Sequence, residues 1–109
     1  ETFLRDFNAH MYPITGYSFI HRSRKNKTRG GVAIYILDIF PFKERNDLSL
    51  FYEGEFDSIF AEINVGNDKL IIGEIYRIPN TNELLSISRY ETIIANLRTF
   101  KHDIVIGTD

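Results

Sequence analysis

A tyrosine and an arginine, Tyr76 and Arg77, follow an apolar run with the sequence LIIGEI and precede a turn with the sequence IPN. Branched apolar residues in near-continuous succession are typical of a strand that is buried on both faces. Pro79 has no backbone N–H to donate, so the strand must end before it. The pair therefore lies at the carboxyl end of a buried strand, where α/β proteins commonly place their functional sites. A guanidinium at such a site can bind a phosphate through two hydrogen bonds.

Tyr76 and Arg77 also have simpler interpretations. A tyrosine at a strand end is more often a packing residue than a catalytic one, and Arg77 can form an ion pair with Glu74 or Glu62. Glu74 lies two residues before Tyr76 and therefore shares its face of the strand. A carboxylate at that position lies on a solvated edge of the site, or is buried and paired. The sequence leaves these interpretations open.

A basic run occupies residues 22–29, where five of eight residues are positively charged. A solvated loop is the favoured interpretation of this run. Alternatively, these side chains contact DNA phosphates, which would give salt-dependent affinity without sequence preference. The basic residues are Arg22, Arg24, Lys25, Lys27 and Arg29.

Strands in the first half of the chain are indicated by alternation and by runs of branched apolar residues. Residues 1–15 show no sustained period and predict a loop. Residues 16–23 predict a short strand with an aromatic face, and the sequence VAIYIL at residues 32–37 predicts a buried strand. Residues 38–54 predict a connection with one short strand near residues 48–52.

The second half of the chain predicts a hairpin. Residues 56–65 alternate in polarity, with the odd-numbered positions from 59 to 65 apolar and on one face. Gly66-Asn67-Asp68 then turns the chain into a partner strand over residues 69–77, so these two segments should pair in an antiparallel manner.

A helix and a last strand follow the turn at Pro79. We expect the helix to start between Asn82 and Ser88 and to end at Lys101-His102. Residues 103–107 predict a strand inside a sheet, and the order of elements predicts a mixed α/β sheet with strands of both directions. The expected core face of the helix has helical spacing and consists of Ile87, Tyr90, Ile94, Leu97 and Phe100.

The composition indicates one globular domain. At 43% hydrophobic residues, the 109-residue chain has the material for a core and is not disordered. A net charge of −2 gives no overall attraction to nucleic acid, so any such binding requires a local patch. The absence of cysteine excludes disulfides and thiolate chemistry. Because no targeting peptide or apolar run of roughly 18 residues is present, we expect a soluble intracellular protein that does not contact membranes.

The two ends of the chain predict a piece of a longer protein. Residue 1 is Glu1 rather than an initiator methionine, and the chain stops at Asp109, directly after an apolar strand-like run. A strand cut so close to its end has no element to follow it.

Four segments taken together resemble a known family. They are ETFL at residues 1–4, RGGVAIYI at 29–36, IGEIYRIPN at 72–80 and DIVIGTD at 103–109. In this order they are similar to the endonuclease/exonuclease/phosphatase family, in particular to the endonuclease domain of non-LTR (LINE or jockey-like) retrotransposon reverse transcriptase proteins. Two departures are visible. Ile78 replaces the first proline of the family's YRPPN segment, and one residue separates Gly107 from Asp109 where the family has GD.

The resemblance implies a fold and a site. The fold is a two-layered α/β sandwich of β-sheets flanked by helices, of which residues 1–109 would be the N-terminal and central part, truncated at both ends. Glu1 resembles the metal-binding glutamate, Tyr76 the active-site tyrosine and Asp109 the catalytic aspartate. The metal would be Mg²⁺, with Mn²⁺ as an alternative, because phosphodiester hydrolysis needs a hard cation bound by one or two carboxylates. The implied DNA contacts are Arg22, Arg24, Lys25, Lys27, Arg29, Arg77 and Asn80.

The implied function is target nicking by a DNA endonuclease, within a retrotransposon polyprotein whose other domains are its partners and which acts in the nucleus. The segment with the catalytic histidine is missing, and His10, His21 and His102 do not match it. We therefore expect the isolated chain to be inactive or nearly so. Two alternatives remain: a degenerate copy or DNA-binding module without catalysis, and a phosphatase of the same fold.

Overall fold

The computed structural model describes residues 13–22, 31–52 and 54–108. Several predicted features fall outside the described residues: the loop over residues 1–12, Glu1, Asp109, and the basic residues Arg24, Lys25, Lys27 and Arg29. The described elements in chain order are β1 (Tyr17–Arg22), β2 (Val32–Leu37), β3 (Phe42–Glu44), β4 (Phe51–Tyr52), β5 (Phe56–Val65), β6 (Asp68–Arg77), α1 (Glu83–Leu97) and β7 (Asp103–Thr108).

The long hairpin predicted from alternation is confirmed. Strands β5 and β6 pair in an antiparallel manner along their whole length, from Phe56 opposite Arg77 to Val65 opposite Asp68. Gly66 begins the two-residue turn with a φ of 63°, a sign of φ that such hairpin turns require and that glycine adopts without a steric cost.

Strands β5 and β6 are the centre of a five-stranded mixed sheet with the order β3-β5-β6-β7, in which β4 also pairs with β5. The connection from β6 through α1 returns to β7, which is parallel to β6. The sheet thus contains strands of both directions, as the sequence predicts. Strand β3 was not predicted, because three residues with two charges directly after Pro41 carry no strand signal of their own.

The two faces of this sheet are covered differently. On one face, Ile59, Ala61 and Ile63 of β5 pack with Ile20 and other apolar residues of β1 and β2, which form a separate two-stranded antiparallel sheet. The packed residues of that hairpin are Ile20, Val32 and Ile36, with Ile34 at the margin. This is the face that the odd-numbered apolar positions predict.

On the opposite face the sheet packs against α1. Phe56, Phe60, Ile71 and Ile75 lie in one cluster with two helix residues, Ile93 and Leu97. Covering of both faces accounts for the near-continuous apolar sequence of β6. The protein is therefore an α/β fold dominated by sheets, with one helix in the described residues.

The helix begins where the sequence predicts but differs in length and in its buried face. Asn82 is the N-cap, and its side-chain oxygen accepts a hydrogen bond from the Leu85 N–H at 3.2 Å. The helix ends at Leu97 rather than at Lys101-His102, because the chain turns there and the Phe100 N–H donates to the Leu97 carbonyl.

The expected core face of the helix was wrong in part. Ile87 and Ile94 are 53% and 47% exposed. The face that packs on the sheet consists of Ser86, Tyr90, Ile93 and Leu97, at spacings of 4, 3 and 4, which satisfy the helical period equally well.

Within the described ranges, α1 is too short and too polar to cross a bilayer.

Candidate functional site

Tyr76 occupies the next-to-last position of β6, as predicted, and its side chain faces the β1–β2 hairpin. Ile59, Ala61 and Val32 belong to the same apolar cluster. The residue is only 4% exposed. This burial fits the packing interpretation of the ring, and any chemistry by the phenol must take place at the end of the strand, where a substrate can approach it.

Asp57 lies directly opposite Tyr76 in the β5–β6 register, and sequence reasoning missed it. It is fully buried, and its Oδ2 accepts a hydrogen bond of 2.8 Å from the Gly31 N–H at the start of β2. A buried carboxylate requires such donors, because transfer from water is costly without them. The sequence did contain a signal for this buried carboxylate, because Asp57 is an acid at an odd-numbered position, on the face otherwise occupied by Ile59 and Ala61.

Glu74 shares the face of Tyr76, as predicted, because it lies opposite Ile59 in the register. Its carboxylate lies across Gly107 of β7, where a Cβ atom would overlap it. Glycine at position 107 therefore leaves room for the Glu74 side chain. Asp57, Glu74 and Tyr76 together place two carboxylates and a phenol at the carboxyl end of β6, on one face of the sheet.

The end of β7 lies beside this group. Strands β6 and β7 are parallel, and Thr108 pairs with Ile75, the residue before Tyr76. Two segments that are about thirty residues apart in sequence, YRIPN and GT, thus meet at one edge of the sheet. Asp109, the predicted base, and Glu1, the predicted metal ligand, lie outside the described residues.

The turn after Tyr76 and Arg77 is held by hydrogen bonds. The Ile78 N–H donates to the Glu55 carbonyl at 3.0 Å, and the Thr81 hydroxyl donates to the Ile78 carbonyl at 2.8 Å. Asn80 is exposed and has a φ of 66°, a left-handed conformation that asparagine tolerates better than most residues. These bonds restrain the turn although Ile78 lacks the fixed φ of a proline.

Arg77 points to the other face of the sheet, towards α1. It lines an open cavity of about 210 Å³, the Arg77 cavity, whose other walls are Glu83, Ser86, Ile87 and Tyr90. The alternative interpretation, in which Arg77 forms an ion pair with Glu74 or Glu62, was wrong. Glu74 lies on the opposite face, and Glu62 instead pairs with Arg45 at 3.3 Å. Among the residues that the structure describes, Arg77 forms no ion pair and donates no side-chain hydrogen bond.

Arg22 is the one residue of the basic run that the structure describes. Its guanidinium lies over the Phe51 ring, 5.4 Å from the ring centroid, and its Nε is buried without a hydrogen-bond partner in the described part of the chain. This cation–π contact makes Arg22 part of the packed edge of the protein rather than a fully solvated side chain.

Metal ligands are not gathered in the described residues. Within residues 13–22, 31–52 and 54–108, His, Cys, Asp and Glu form no group of three that can hold a metal ion. A Mg²⁺ site needs only one or two carboxylates together with waters, so Glu74 has the oxygen chemistry to supply one ligand.

The comparisons with known proteins add no family to this description. No protein-family model matches the chain, and no curated protein matches it in sequence. The fold and the site define an α/β protein with two carboxylates and a phenol at the end of its central strand.

Proposed function

We propose that the chain is part of a Mg²⁺-dependent DNA endonuclease of the endonuclease/exonuclease/phosphatase family, carried by a non-LTR retrotransposon protein that acts in the nucleus. The observation that carries the proposal is the meeting of the YRIPN and GT segments at the carboxyl ends of the parallel strands β6 and β7. Open α/β sheets bind their ligands at such an edge. We also propose that the complete domain has the family's two-layered sandwich fold. Longer flanking sequence would supply the part of the domain that this chain lacks.

Each residue has a chemical role in this proposal. Glu1 would hold Mg²⁺, which neutralises charge on the non-bridging phosphate oxygens. Asp109 would orient or deprotonate the attacking water, and the Tyr76 hydroxyl would donate a hydrogen bond to the charge that develops on phosphorus. Asp57 keeps the start of β2 against the sheet next to Tyr76, through its hydrogen bond to Gly31.

The test is nicking of supercoiled plasmid, with and without Mg²⁺, by the chain extended with its native flanking sequence. Glu1→Ala and Asp109→Asn should each lower the rate by roughly 10²- to 10⁴-fold, and Tyr76→Phe by about 10²-fold. Lys69→Ala is the matched control, because Lys69 is exposed at the opposite end of β6. If the folded extended chain nicks nothing, or if the three substitutions behave like Lys69→Ala, the proposal fails.

A second candidate is a DNA-binding module without catalysis, and the burial of Tyr76 favours it. In this case DNA binding, measured over a range of salt concentrations, survives Glu1→Ala and Asp109→Asn. It is lost when the basic residues between 24 and 29 are neutralised, because phosphate contacts then supply all of the affinity. The endonuclease proposal expects the two carboxylate substitutions to abolish nicking whether or not the basic run contributes to binding.

A further inference from the structure

The Arg77 cavity lies beside the proposed site but on the other face of the sheet. Tyr76 and Arg77 are consecutive residues of a strand, so their side chains point in opposite directions from adjacent Cα atoms. Arg77 lies opposite Phe56 in the β5–β6 register, and the Tyr90 ring packs edge-on against Phe56, with 5.3 Å between the ring centroids. Arg77 and Tyr90 are thus both neighbours of the buried Phe56.

Two hydrogen-bond donors of this cavity are unused within the described residues. The Arg77 guanidinium has no ion pair, and the Tyr90 hydroxyl has no hydrogen-bond partner there. Burial raises the pKa of the Tyr90 phenol, and the charge of Arg77, which lines the same cavity, offsets part of that increase. The Ser86 hydroxyl, by contrast, already donates to the Asn82 carbonyl at 3.2 Å.

The other charged group of the cavity restricts the class of ligand. Glu83 lines the same space as Arg77, so the cavity has no excess of positive charge and an anion there must be held by hydrogen bonds to the guanidinium. A phosphodiester carries one negative charge and presents two oxygens, which match the fork of a guanidinium. The volume of about 210 Å³ corresponds to several water molecules at ~30 Å³ each, which is sufficient for one phosphate group.

We propose that Arg77 and Tyr90 bind a backbone phosphodiester of the DNA strand, next to the phosphodiester that meets the Tyr76 face. The inference rests on the proposed function for the identity of the strand. A DNA strand that crosses the carboxyl end of β6 would pass both faces of the sheet, because the Tyr76 and Arg77 side chains point to opposite faces at that end. The Arg77 cavity then fixes the position of the strand and does not take part in the reaction.

The experiment measures binding of a labelled DNA duplex by fluorescence anisotropy, in the presence of EDTA, from roughly 50 to 200 mM salt. Arg77→Gln should weaken binding roughly tenfold at the lowest salt, because a charge-assisted hydrogen bond is lost. It should also reduce the slope of log affinity against log salt by about 0.9, the value for one lost phosphate contact. Two unrelated duplex sequences should respond alike.

Two further variants separate charge from folding. Arg77→Lys keeps the charge but not the planar fork, so binding should weaken while the salt slope stays at the wild-type value. Tyr90→Phe should weaken binding by roughly two- to fivefold without changing the slope, because the phenol is neutral. Lys69→Ala, at the far end of β6, should leave the slope unchanged.

The proposal is overturned if Arg77→Gln has the wild-type salt slope, or if Arg77→Lys loses as much slope as Arg77→Gln. Its failure is distinguishable from failure of the proposed function. A wild-type chain that binds with the expected Arg77 dependence but nicks no plasmid in Mg²⁺ keeps the phosphate subsite and loses the endonuclease. A chain that nicks plasmid but binds DNA independently of Arg77 keeps the endonuclease proposal and loses the phosphate subsite.

Discussion

The Glu74 carboxylate lies across Gly107 of the neighbouring parallel strand, in the space that a side chain at position 107 would occupy. A second close approach occurs in the same sheet. Gly73 lies opposite Phe60, and a Cβ atom at Gly73 would overlap three atoms of the Phe60 ring. Both glycines thus make room for a neighbour, but the neighbours differ in their freedom to move.

Gly73→Ala should destabilise the protein by about 1–3 kcal/mol, because the Phe60 ring is fully buried and cannot leave without disturbing the core. Gly107→Ala should cost less than about 1 kcal/mol, since the end of the flexible, half-buried Glu74 side chain can move aside. Urea denaturation of the two variants measures both values. Equal losses of stability in the two variants would contradict the different roles of Phe60 and Glu74.

The buried carboxylate of Asp57 gives a second prediction. Asp57→Ala leaves the Gly31 N–H without its acceptor and should lower the free energy of unfolding by about 1–3 kcal/mol. Asp57→Asn retains an acceptor oxygen and should cost less. Asp38→Ala is the control, because Asp38 also accepts a hydrogen bond, from Ser18 at 2.6 Å, but at an exposed position. Its expected cost is below about 0.5 kcal/mol.

Amide hydrogen exchange locates the effect of Asp57→Ala. Exchange of the Gly31 amide should accelerate more than exchange of the Ile72 amide, in the middle of β6, because only the former loses its acceptor. Uniform acceleration across the sheet, or an unchanged Gly31 amide, would show that Asp57 does not hold the start of β2.

The hairpin and the start of the helix were predictable because their signals are local. Alternation over residues 56–65 fixes which residues share a face, and Gly66 fixes the turn. Asn82 is a good N-cap by its residue type alone. Each of these signals is contained within about ten residues of sequence.

The face of the helix and the partners of charged residues were not predictable, because they depend on contacts between distant segments. Ile87 and Ile94 have the same helical spacing as Tyr90 and Leu97, and only the position of the sheet decides which set is buried. Glu62 binds Arg45, the residue directly after β3, and this contact depends on the pairing of β3 with β5, which the sequence does not show.

The candidate site also has features that the sequence predicted and features that depend on contacts between distant segments. The position of Tyr76 at a strand end followed from Pro79, whereas the burial of Asp57 and the direction of Arg77 required the register of β5 with β6. The sequence also gives no sign that Gly107 makes room for Glu74, because the two residues meet only through the parallel pairing of β6 with β7.

The contact between α1 and the β4–β5 turn gives a third prediction. Arg89 pairs with Glu55 at 2.8 Å, and its guanidinium lies 3.7 Å from the centroid of the Tyr52 ring. Arg89→Lys should lower the free energy of unfolding by about 0.5–1 kcal/mol, because lysine keeps the charge but lacks the flat surface that stacks on tyrosine. Arg98→Lys, at the exposed C-cap position directly after α1, should have no measurable effect in the same urea denaturation. Equal stabilities of the two variants would argue against the stacking contribution.

Tyr90 links stability to pH at the alkaline end. Burial raises the pKa of its phenol above the ordinary value of 10.0, and the charge of Arg77 offsets part of that increase. The folded protein therefore holds the phenolic proton more tightly than the unfolded chain does. The corresponding stability is fully present below the unfolded pKa and is lost as pH rises through the folded pKa, that is, above about pH 10. Tyr90→Phe should abolish this part of the pH dependence.

Arg77 can be tested through the same phenol, without DNA. Arg77→Gln removes the positive charge that lowers the pKa of Tyr90, so the phenol should titrate at a still higher pH. Ultraviolet titration of tyrosinate, with Tyr90→Phe used to assign the signal, measures the change, and Lys69→Ala should leave it unaltered. Because Arg77→Lys retains the charge, its titration should resemble that of the wild type. An unchanged Tyr90 titration in Arg77→Gln would mean that the guanidinium does not face the phenol across the Arg77 cavity, and the phosphate subsite would then lack its geometric basis.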